Sequence, residues 1–457
     1  MSARRVAVIG GGITGLAAAL RLVDLAAERS VPLQVTLLEA DASFGGKIRT
    51  DRSDGFIIEQ GPDSLLARKA WGVDLCRRLG LEGQLTGTGP RAGRAYLAAG
   101  DRLEPMPPGM VLGVPASIGS LLTSRLVPPL GRLRAALEPW IPPRRKGPRR
   151  DESLHDFLVR RLGRPAAEAV AEPLLEAVHA GDARRLSARA TYPQLVLLEE
   201  RYGSLVRGMR NRRLPGEQAP GDAGPRRPAG PAGRDGSPAG PAGRDGSRAE
   251  PGPTFVTVRT GLATLVERAL EHLGRSPAVR LLAGRPVTAL NPLPEDAWEV
   301  FTADRQRERF EGVVLAVPAF AGAEMVAPWA PAAAEALQGI PYASTAAVAL
   351  AYPRDAVAHP LDGSGFLVPR SRARVITGCT WLSTKWPHTA PAGTALLRCF
   401  VGRAGSEETL SLSDTQLIEA VDVDLRRFLD IGAPPSLARV YRWPRAMPQY
   451  EVGHLQR

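Results

Sequence analysis

The chain has 457 residues, of which 44% are hydrophobic and 23% are charged. This predicts a folded protein of about two to four structural units and excludes a small scaffold held by disulfides. The formal net charge of +12 comes almost entirely from arginines spread along the chain, so nucleic-acid binding is not expected. The chain has no uninterrupted run of about 18 apolar residues, and its three cysteines and six histidines form no local metal-binding motif. We therefore expect a cytoplasmic protein with no membrane span and no metal site.

The predicted elements begin with a strand, a helix and a second strand. The apolar run 6–9 is typical of a buried parallel strand, 15–29 has helical periodicity, and 35–38 is a second buried strand. This order predicts a βαβ unit and a fold of the α/β class. Further helices are predicted at 151–162, 165–180, 194–210, 261–273 and 413–430, and further strands at 254–258, 287–290, 299–302, 313–317, 345–351, 374–379 and 394–401.

One segment, 211–253, differs from the rest of the chain. It consists almost entirely of Gly, Pro, Ala, Arg and Asp, and the sequence of 228–237 is repeated at 238–247. With almost no apolar side chain to bury, the segment cannot contribute to a core. We predict a disordered surface loop, which a folded domain tolerates because the entropy cost of loop closure grows slowly with length.

The turn between the first predicted strand and helix has the spacing GxGxxG, and an acidic residue ends the next strand. The turn and the acid are Gly10, Gly11, Gly12, Ile13, Thr14, Gly15 and Glu39. Gly10 permits the tight turn, and Gly12 lets backbone N–H groups approach a pyrophosphate. Gly15 lets the helix pack closely on the strand. A carboxylate at the end of the second strand binds ribose hydroxyls. The pattern predicts a dinucleotide-binding domain.

The segments after Glu39 favour FAD over NAD. The stretch 44–49 supplies a second glycine pair and two cations beside the expected pyrophosphate, and 55–64 predicts a strand that ends in a rigid turn where a ring system can lie. An NAD-linked dehydrogenase is the alternative at this point. With these segments the sequence resembles the superfamily of FAD-containing amine oxidases and protoporphyrinogen oxidases.

Motifs further along the chain narrow this resemblance to the porphyrinogen oxidases. They span nearly the whole chain outside 211–253 and are similar to those of the Gram-positive-type enzymes that oxidise coproporphyrinogen III to coproporphyrin III. The matching stretches are 106–109, 113–115, 172–175, 180–182, 186–187, 380–381, 385–388, 397–398 and 401–405.

The resemblance implies which residues hold the cofactor and the substrate. Those expected to contact FAD are Gly10, Gly11, Gly12, Ile13, Thr14, Gly15, Glu39, Ala40, Gly46, Lys47, Gly61, Pro62, Asp63 and Ser64, with the backbone of Val287 at the adenine and Trp443 near the flavin. Arg94 matches an arginine proposed to pair with a substrate propionate, and Gly365 and Leu367 match residues that line the tetrapyrrole cavity. A surface charge for Arg94 and ordinary sheet positions for the other two are the alternatives. Lys385 and His388, beside two tryptophans, are expected to form a structural cluster rather than a catalytic pair.

The resemblance also implies an FAD-binding Rossmann-like domain interleaved with a mixed-sheet α+β substrate domain and a helical insertion. The expected bounds are 1–72 and 254–320 for the FAD-binding domain, 73–105 and 321–446 for the substrate domain, and 106–210 for the helical subdomain. Relatives continue beyond the stretch that matches 447–454 into a last strand and a helix facing the flavin, whereas this chain stops at Arg457. We therefore expect either a shortened chain or a weakened or non-catalytic relative.

The expected reaction is oxidation of coproporphyrinogen III by FAD, with O₂ as the final acceptor and H₂O₂ as product. Protoporphyrinogen IX is the alternative substrate, and a non-catalytic protein that binds flavin or a tetrapyrrole is the alternative of another class. No catalytic side chain is assigned, because conjugation drives the loss of hydride and a pyrrole N–H can release the proton. We expect at most peripheral membrane contact, through the helical region 106–210, and the sequence does not indicate an oligomeric state.

Overall fold

The computed structural model describes residues 3–111, 113–115, 118–144, 151–211, 253–372 and 374–457. The segment predicted to be a disordered loop, 211–253, lies outside the described residues except for its two ends. The disorder of this segment stays a prediction.

Strands and helices alternate along the described chain. The strands are β1 (Arg4–Ile9), β2 (Leu33–Leu38), β3 (Thr50–Ser53), β4 (Phe56–Glu59), β5 (Leu65–Leu66), β6 (Leu85–Gly87), β7 (Tyr96–Ala99), β8 (Arg102–Pro105), β9 (Met110–Val111), β10 (Val114–Pro115), β11 (Phe255–Val258), β12 (Val279–Leu282), β13 (Val287–Leu293), β14 (Ala297–Thr302), β15 (Arg307–Phe310), β16 (Gly312–Leu315), β17 (Tyr342–Pro353), β18 (Gly365–Leu367), β19 (Ile376–Trp381), β20 (Thr394–Val401) and β21 (Leu437–Pro448). The α-helices are α1 (Ile13–Glu28), α2 (Ala70–Arg78), α3 (Ile118–Leu122), α4 (Pro129–Ala136), α5 (Leu154–Leu162), α6 (Arg164–Ala166), α7 (Glu172–His179), α8 (Ala188–Thr191), α9 (Pro193–Tyr202), α10 (Leu205–Arg210), α11 (Ala263–Gly274), α12 (Ala319–Val326), α13 (Pro331–Gln338), α14 (Leu382–Lys385) and α15 (Asp414–Leu429).

The first three elements form the predicted βαβ unit. β1 pairs in parallel with β2 and with β16, and β12 extends this sheet in the order β12-β2-β1-β16. Ala7, Val8 and Ile9 are all buried, as expected for a central strand of a parallel sheet that is covered on both faces. Leu16 and Leu20 of α1 pack with Val8 in one core. The α/β fold class is confirmed.

Segments before and after residues 212–252 are interleaved in this region. β11 follows these residues in the chain and forms an antiparallel sheet with β5 and β6, which precede them. Cys76, Leu79 and Leu81 pack into the same core as Leu16 and Leu265. β13, β14 and β15 form a further antiparallel sheet. The predicted domain bounds remain predictions.

A second large sheet has seven strands in the order β21-β17-β20-β19-β18-β7-β8. Its strand pairs are antiparallel except for β18 with β7. Val348 and Leu397 on one face of the sheet share a core with Leu417 and Leu425 of α15. β21 was not predicted from the sequence, because Pro444 interrupts its pattern. The strand forms because it lies at the edge of the sheet and pairs only with β17, where a proline is tolerated.

A helical layer lies beside this sheet. Side chains from α4 to α10 share one core, and Leu367 of β18 packs against it. The predicted single helix 194–210 is wrong at its centre, where Gly203 adopts a left-handed backbone (φ +69°). The Ser204 hydroxyl then accepts the N–H of Arg207 and starts α10. In the described ranges, none of the helices combines the length and apolar character needed to cross a bilayer.

Candidate dinucleotide and substrate site

The glycine turn between β1 and α1 leaves no room for side chains at its first and last positions. Gly10 has a φ of +105°, and a Cβ there would lie 2.4 Å from the carbonyl oxygen of Ala316. A Cβ at Gly15 would lie 1.8 Å from the carbonyl oxygen of Gly10. Both distances are far below van der Waals contact, so glycine is required at both positions. The helix therefore starts directly against the end of the strand.

The N-terminus of α1 is open. Among the described residues no side chain caps it, and its first turn contains no acidic residue. A Cβ at Gly12 would have no heavy atom within 4 Å. Unpaired N–H groups of a first helical turn and the helix dipole together favour an anion at this place. The geometry fits a pyrophosphate above Gly12.

Glu39 lies beside this turn, as the sequence predicted. One oxygen of its carboxylate accepts the N–H of Gly11 at 2.6 Å, and the other accepts the N–H of Asp41 at 2.8 Å. These two bonds fix the carboxylate at the carboxyl end of β2. Ala40, which follows, is exposed. The arrangement fits a ribose whose hydroxyls bind the Glu39 carboxylate.

Val287 lies close to Glu39 although the two are far apart in sequence. Its buried side chain packs in one cluster with Ile9 and Leu38. The N–H of Arg285, two residues earlier, donates to the carbonyl oxygen of Glu39 at 2.8 Å. The predicted adenine contact is thus placed next to the predicted ribose contact.

A second glycine loop crosses the first. The N–H of Gly45 donates to the carbonyl oxygen of Gly11 at 2.9 Å. A Cβ at Gly46 would lie 3.3 Å from the Cα of Gly12. Gly45 and Gly46 both have positive φ, at +112° and +57°, and the exposed Lys47 follows them. The two loops border the predicted pyrophosphate position from two sides.

The loop that begins at Gly61 continues this path. A Cβ at Gly61 would lie 2.2 Å from the carbonyl oxygen of Lys47 and 3.7 Å from the ring of Trp443. The indole N–H of Trp443 donates to the carbonyl oxygen of Gln60 at 2.7 Å. Trp443 on β21 therefore lies against the loop that the sequence predicted to border the flavin.

Asp63 lies at the centre of a buried ion cluster. The ammonium of Lys385 donates to the Asp63 carboxylate at 2.9 Å, the hydroxyl of Ser64 donates at 2.8 Å, and the guanidinium of Arg398 is 4.0 Å away. Burial alone would raise the pKa of this carboxyl, but Lys385 and Arg398 hold it well below its usual range. Pro62, which precedes it, is exposed. We call Glu59, Asp63, Lys385 and Arg398 the Asp63 cluster.

Arg398 and Glu59 are the members of the Asp63 cluster that the sequence reasoning did not assign. Arg398 lies within β20. It is 3% exposed, and its Nη1 donates to the carbonyl oxygen of Glu59 at 2.7 Å. Its Nε has no hydrogen-bond partner among the described residues. The available signal was a charged residue inside an apolar strand, since such a charge is buried only with a partner. Lys385 lies within 5.3 Å of the Trp386 ring and belongs to this cluster, whereas His388 has no place in it.

Glu59 is also buried in the cluster. Its carboxylate accepts the N–H of Leu262 at 2.6 Å and the hydroxyl of Thr50 at 2.8 Å. Burial nevertheless raises the pKa of Glu59 to about 7. The net charge of the Asp63 cluster therefore changes near neutral pH.

The three candidate substrate residues lie on and beside neighbouring strands. β18 and β7 pair in parallel, with Leu367 opposite Leu97. A Cβ at Gly365 would lie 2.0 Å from the carbonyl oxygen of Cys379, so this glycine is required for the contact between β18 and β19. The N–H of Ser364 donates to the carbonyl oxygen of Arg94 at 2.7 Å. Arg94 and Gly365 are thus brought within one short stretch of sheet.

Arg94 is exposed and has a carboxylate partner. Its guanidinium donates to Asp362 at 2.9 Å, and the hydroxyl of Tyr96 donates to the other oxygen of Asp362 at 2.6 Å. The hydroxyl of Thr384 donates to the carbonyl oxygen of Leu361 at 3.1 Å. Since Lys385 follows Thr384 and binds Asp63, α14 links this substrate side to the Asp63 cluster.

The raised pKa of Glu59 predicts a pH-dependent difference in stability between the wild type and Glu59→Gln. The unfolded chain loses the Glu59 proton near the ordinary pKa of 4.5, whereas the folded wild type keeps this proton up to a pKa of about 7. The free energy of unfolding of the wild type therefore falls as the pH rises through this window. Glutamine does not ionise, so we expect the variant to gain about 3 kcal/mol relative to the wild type between about pH 4 and about pH 8. Urea unfolding at both pH values measures this, with the exposed Glu82→Gln as control, and a difference independent of pH would contradict the raised pKa.

Known proteins are similar to this chain over nearly its whole length. Residues 13–457 match the family described as Flavin containing amine oxidoreductase. The coproporphyrinogen III oxidase of Bacillus subtilis (strain 168) is 36% identical over 460 residues, which cover 99% of this chain and 89% of that protein. The chloroplastic protoporphyrinogen oxidase of Oryza sativa subsp. japonica is 30% identical over 468 residues, which cover 98% of this chain and 79% of that protein.

A solved structure agrees over the full length. It comes from Exiguobacterium sp. 255-15 and is assigned provisionally, by its name, to the protoporphyrinogen oxidases. It superposes with a TM-score of 0.79 at 31% sequence identity and covers 100% of this chain and 90% of its own. The geometry of the glycine turn, the family match and these relatives lead to one conclusion: the chain belongs to the flavin containing amine oxidoreductase family.

Proposed function

We propose that this chain is an FAD-dependent oxidase that converts coproporphyrinogen III to coproporphyrin III, with O₂ as acceptor and H₂O₂ as product. The observation that carries the proposal is that three features adjoin one another. They are the glycine turn with Gly12 and Glu39, which we call the dinucleotide cradle, the loop at Gly61, and the Asp63 cluster. The likeness to the Bacillus subtilis enzyme over 99% of the chain supports the substrate class. All three cysteines are free, which supports a cytoplasmic location.

The residues of the cradle would hold FAD. The N-terminus of α1 would bind the pyrophosphate, with Lys47 beside it, and Glu39 would bind the ribose. The backbone of Val287 would contact the adenine, and Trp443 would border the ring system next to Gly61. When bound, the flavin supplies the two-electron acceptor that no side chain can provide.

The Asp63 cluster would set the electrostatic potential next to the ring. Lys385 and Arg398 carry two positive charges against the single negative charge of Asp63, with Glu59 neutral below its raised pKa of about 7. Both cations are largely buried, so water screens them weakly. A net positive potential favours a group that gains electrons.

On the substrate side the chain needs to bind carboxylates and orient the macrocycle. Arg94 can offer a planar, bidentate donor to a propionate, because its side chain is 69% exposed. Leu367 would supply apolar surface from the strand that Gly365 allows to pack closely. No acid–base pair is required of the protein, since a pyrrole N–H of the substrate can release the proton.

Protoporphyrinogen IX is the second candidate substrate. The likeness to the rice enzyme at 30% identity favours it. It has fewer carboxylates than coproporphyrinogen III, so cations at the substrate side would favour the latter.

The first test is the reaction itself. We expect the purified full chain to show the visible absorption of bound flavin. In air it should form fluorescent porphyrin from coproporphyrinogen III at a higher rate than a blank without protein. The same assay with protoporphyrinogen IX measures the preference between the two substrates. Bound flavin without turnover of either substrate would overturn the enzyme assignment and support a non-catalytic flavin-binding protein. A colourless purified protein would overturn the assignment of a flavin cofactor.

A second test addresses the cradle. A Cβ at Gly12 would have no heavy atom within 4 Å, and a larger side chain would occupy the predicted pyrophosphate position. Gly12→Val should therefore fold normally and lose bound flavin. We expect at least about a tenfold weaker affinity for FAD, a loss of about 1.4 kcal/mol or more. Gly274→Val is the matched control, since a Cβ there also has no heavy atom within 4 Å. Equal flavin-to-protein ratios in the two variants would place the cofactor elsewhere.

A third test separates two roles of Arg94. If its guanidinium binds a propionate, Arg94→Ala should raise KM for coproporphyrinogen III about tenfold and leave kcat nearly unchanged, because one charged hydrogen-bonded pair is lost. Asp362→Asn removes the partner of Arg94 and keeps the arginine, so its KM should not rise. If both variants raise KM equally, Arg94 acts only through its ion pair with Asp362.

A further inference from the structure

One buried arginine lacks the partners that a buried charge normally requires. Arg403 follows β20 and is 9% exposed, and its Nε is buried without a hydrogen-bond partner among the described residues. Its side chain makes no hydrogen bond or ion pair to any residue in that part of the chain. Burying a charge without a partner is costly. A ligand that binds Arg403 would remove this cost.

A second arginine, Arg370, lies next to Arg403. Its Nη2 donates to the carbonyl oxygen of Ala404, the residue after Arg403, at 3.1 Å. Its Nε is also buried without a hydrogen-bond partner in the described ranges, and a carboxylate oxygen of Glu176 lies 3.6 Å from it. Burial and the charge of Arg370 lower the pKa of Arg403, while Glu176 and Asp182 act in the opposite direction. We call Arg370 and Arg403 the arginine pair.

The acidic residues beside the arginine pair are engaged elsewhere. Arg370 lines a cavity of about 250 Å³, and each acidic residue of this lining has a hydrogen-bond or ion-pair partner of its own. The partners are Arg164 for Glu168, His155 for Glu172, the backbone N–H of Ala183 for Glu176 and the backbone N–H of Arg184 for Asp182. The Nε groups of the arginine pair remain without one. Two neighbouring guanidinium groups with free donors match the geometry of a carboxylate ligand.

The arginine pair and Arg94 lie beyond opposite ends of β18. The N–H of Ser364, just before this strand, donates to the carbonyl oxygen of Arg94, and Arg370 comes three residues after the end of the strand at Leu367. The stretch 364–370 spans at most about 20 Å. Leu367 lies between the two cationic places and packs against the helical layer. A macrocycle over Leu367 would therefore have guanidinium groups on two opposite sides.

We propose that the arginine pair binds a carboxylate of the tetrapyrrole on the side opposite to Arg94, and thereby selects a substrate with carboxylates on all four pyrrole rings. Coproporphyrinogen III has one propionate on each ring, whereas protoporphyrinogen IX has propionates on two adjacent rings only. Of the two macrocycles, only coproporphyrinogen III can hold one propionate at Arg94 and direct another to the opposite side. This inference rests on the proposed function, which supplies both substrates.

Steady-state kinetics of Arg403→Met with both substrates test the proposal. Methionine keeps much of the length of the side chain and removes its charge. We expect KM for coproporphyrinogen III to rise at least about tenfold with kcat nearly unchanged, because a charged hydrogen-bonded pair is lost. KM for protoporphyrinogen IX should stay at the wild-type value. The control is Arg372→Met, which removes an exposed positive charge two residues from Arg370 and should change neither KM.

Urea unfolding separates a binding role of Arg403 from a structural role. Because Arg403 lies beside another cation and has no partner in the described part of the chain, Arg403→Met should unfold at the same urea concentration as the wild type or at a higher one. An arginine that stabilises the fold would give a lower midpoint in the variant. A lower midpoint together with an equal rise of KM for both substrates would overturn the proposal.

Binding of the porphyrin products distinguishes failure of this site from failure of the proposed function, because it needs no turnover. In equilibrium dialysis with the full chain, we expect Kd for coproporphyrin III to be at least about tenfold higher for Arg403→Met than for the wild type, and Kd for protoporphyrin IX to be equal. Equal affinity of both proteins for coproporphyrin III would overturn the site even if the wild type oxidises the substrate. The expected difference in a wild type that oxidises neither porphyrinogen would support the site and overturn the enzyme assignment.

Discussion

The close approach of β1 and α1 is the constraint on which the rest of the site depends. Gly10 and Gly15 have no space for a side chain, so the start of α1 is held directly at the end of a buried strand. Glu39 and the loop at Gly45 are then positioned by hydrogen bonds to Gly11 in the same turn. A larger residue at either position would move α1 away from the sheet and displace each of these groups.

The Asp63 cluster connects this turn to the second large sheet. Asp63 follows β4, whereas Lys385 ends α14 and Arg398 lies within β20. Buried charges of this kind are stable only when they compensate one another, so the cluster holds the loop at Gly61 in place. The same contacts bring the region around Arg94 into a fixed relation to the dinucleotide cradle. Substrate binding and cofactor binding would therefore depend on one set of ion pairs.

In the helical layer, too, a buried ion pair holds an element in place. The buried pair of Glu138 and Arg161 holds the end of α4 against the protein, and Leu130, Leu133 and Trp140 remain exposed on its other side. An exposed apolar area of this kind usually has a partner.

The sequence by itself determined the βαβ unit, the glycine turn, Glu39, three of the four strands of the parallel sheet and three of the seven strands of the second large sheet. These features depend on the periodicity of neighbouring side chains and on local backbone geometry, which adjacent residues encode. It did not predict β21, whose pattern Pro444 interrupts. Only the tertiary structure decided the partners of the charged residues. A charge inside an apolar strand indicates that Arg398 is buried, but no local pattern identifies the distant residues that pair with it. Lys385 binds Asp63 across a separation of 322 residues, and such a pair exists only because two sheets pack together.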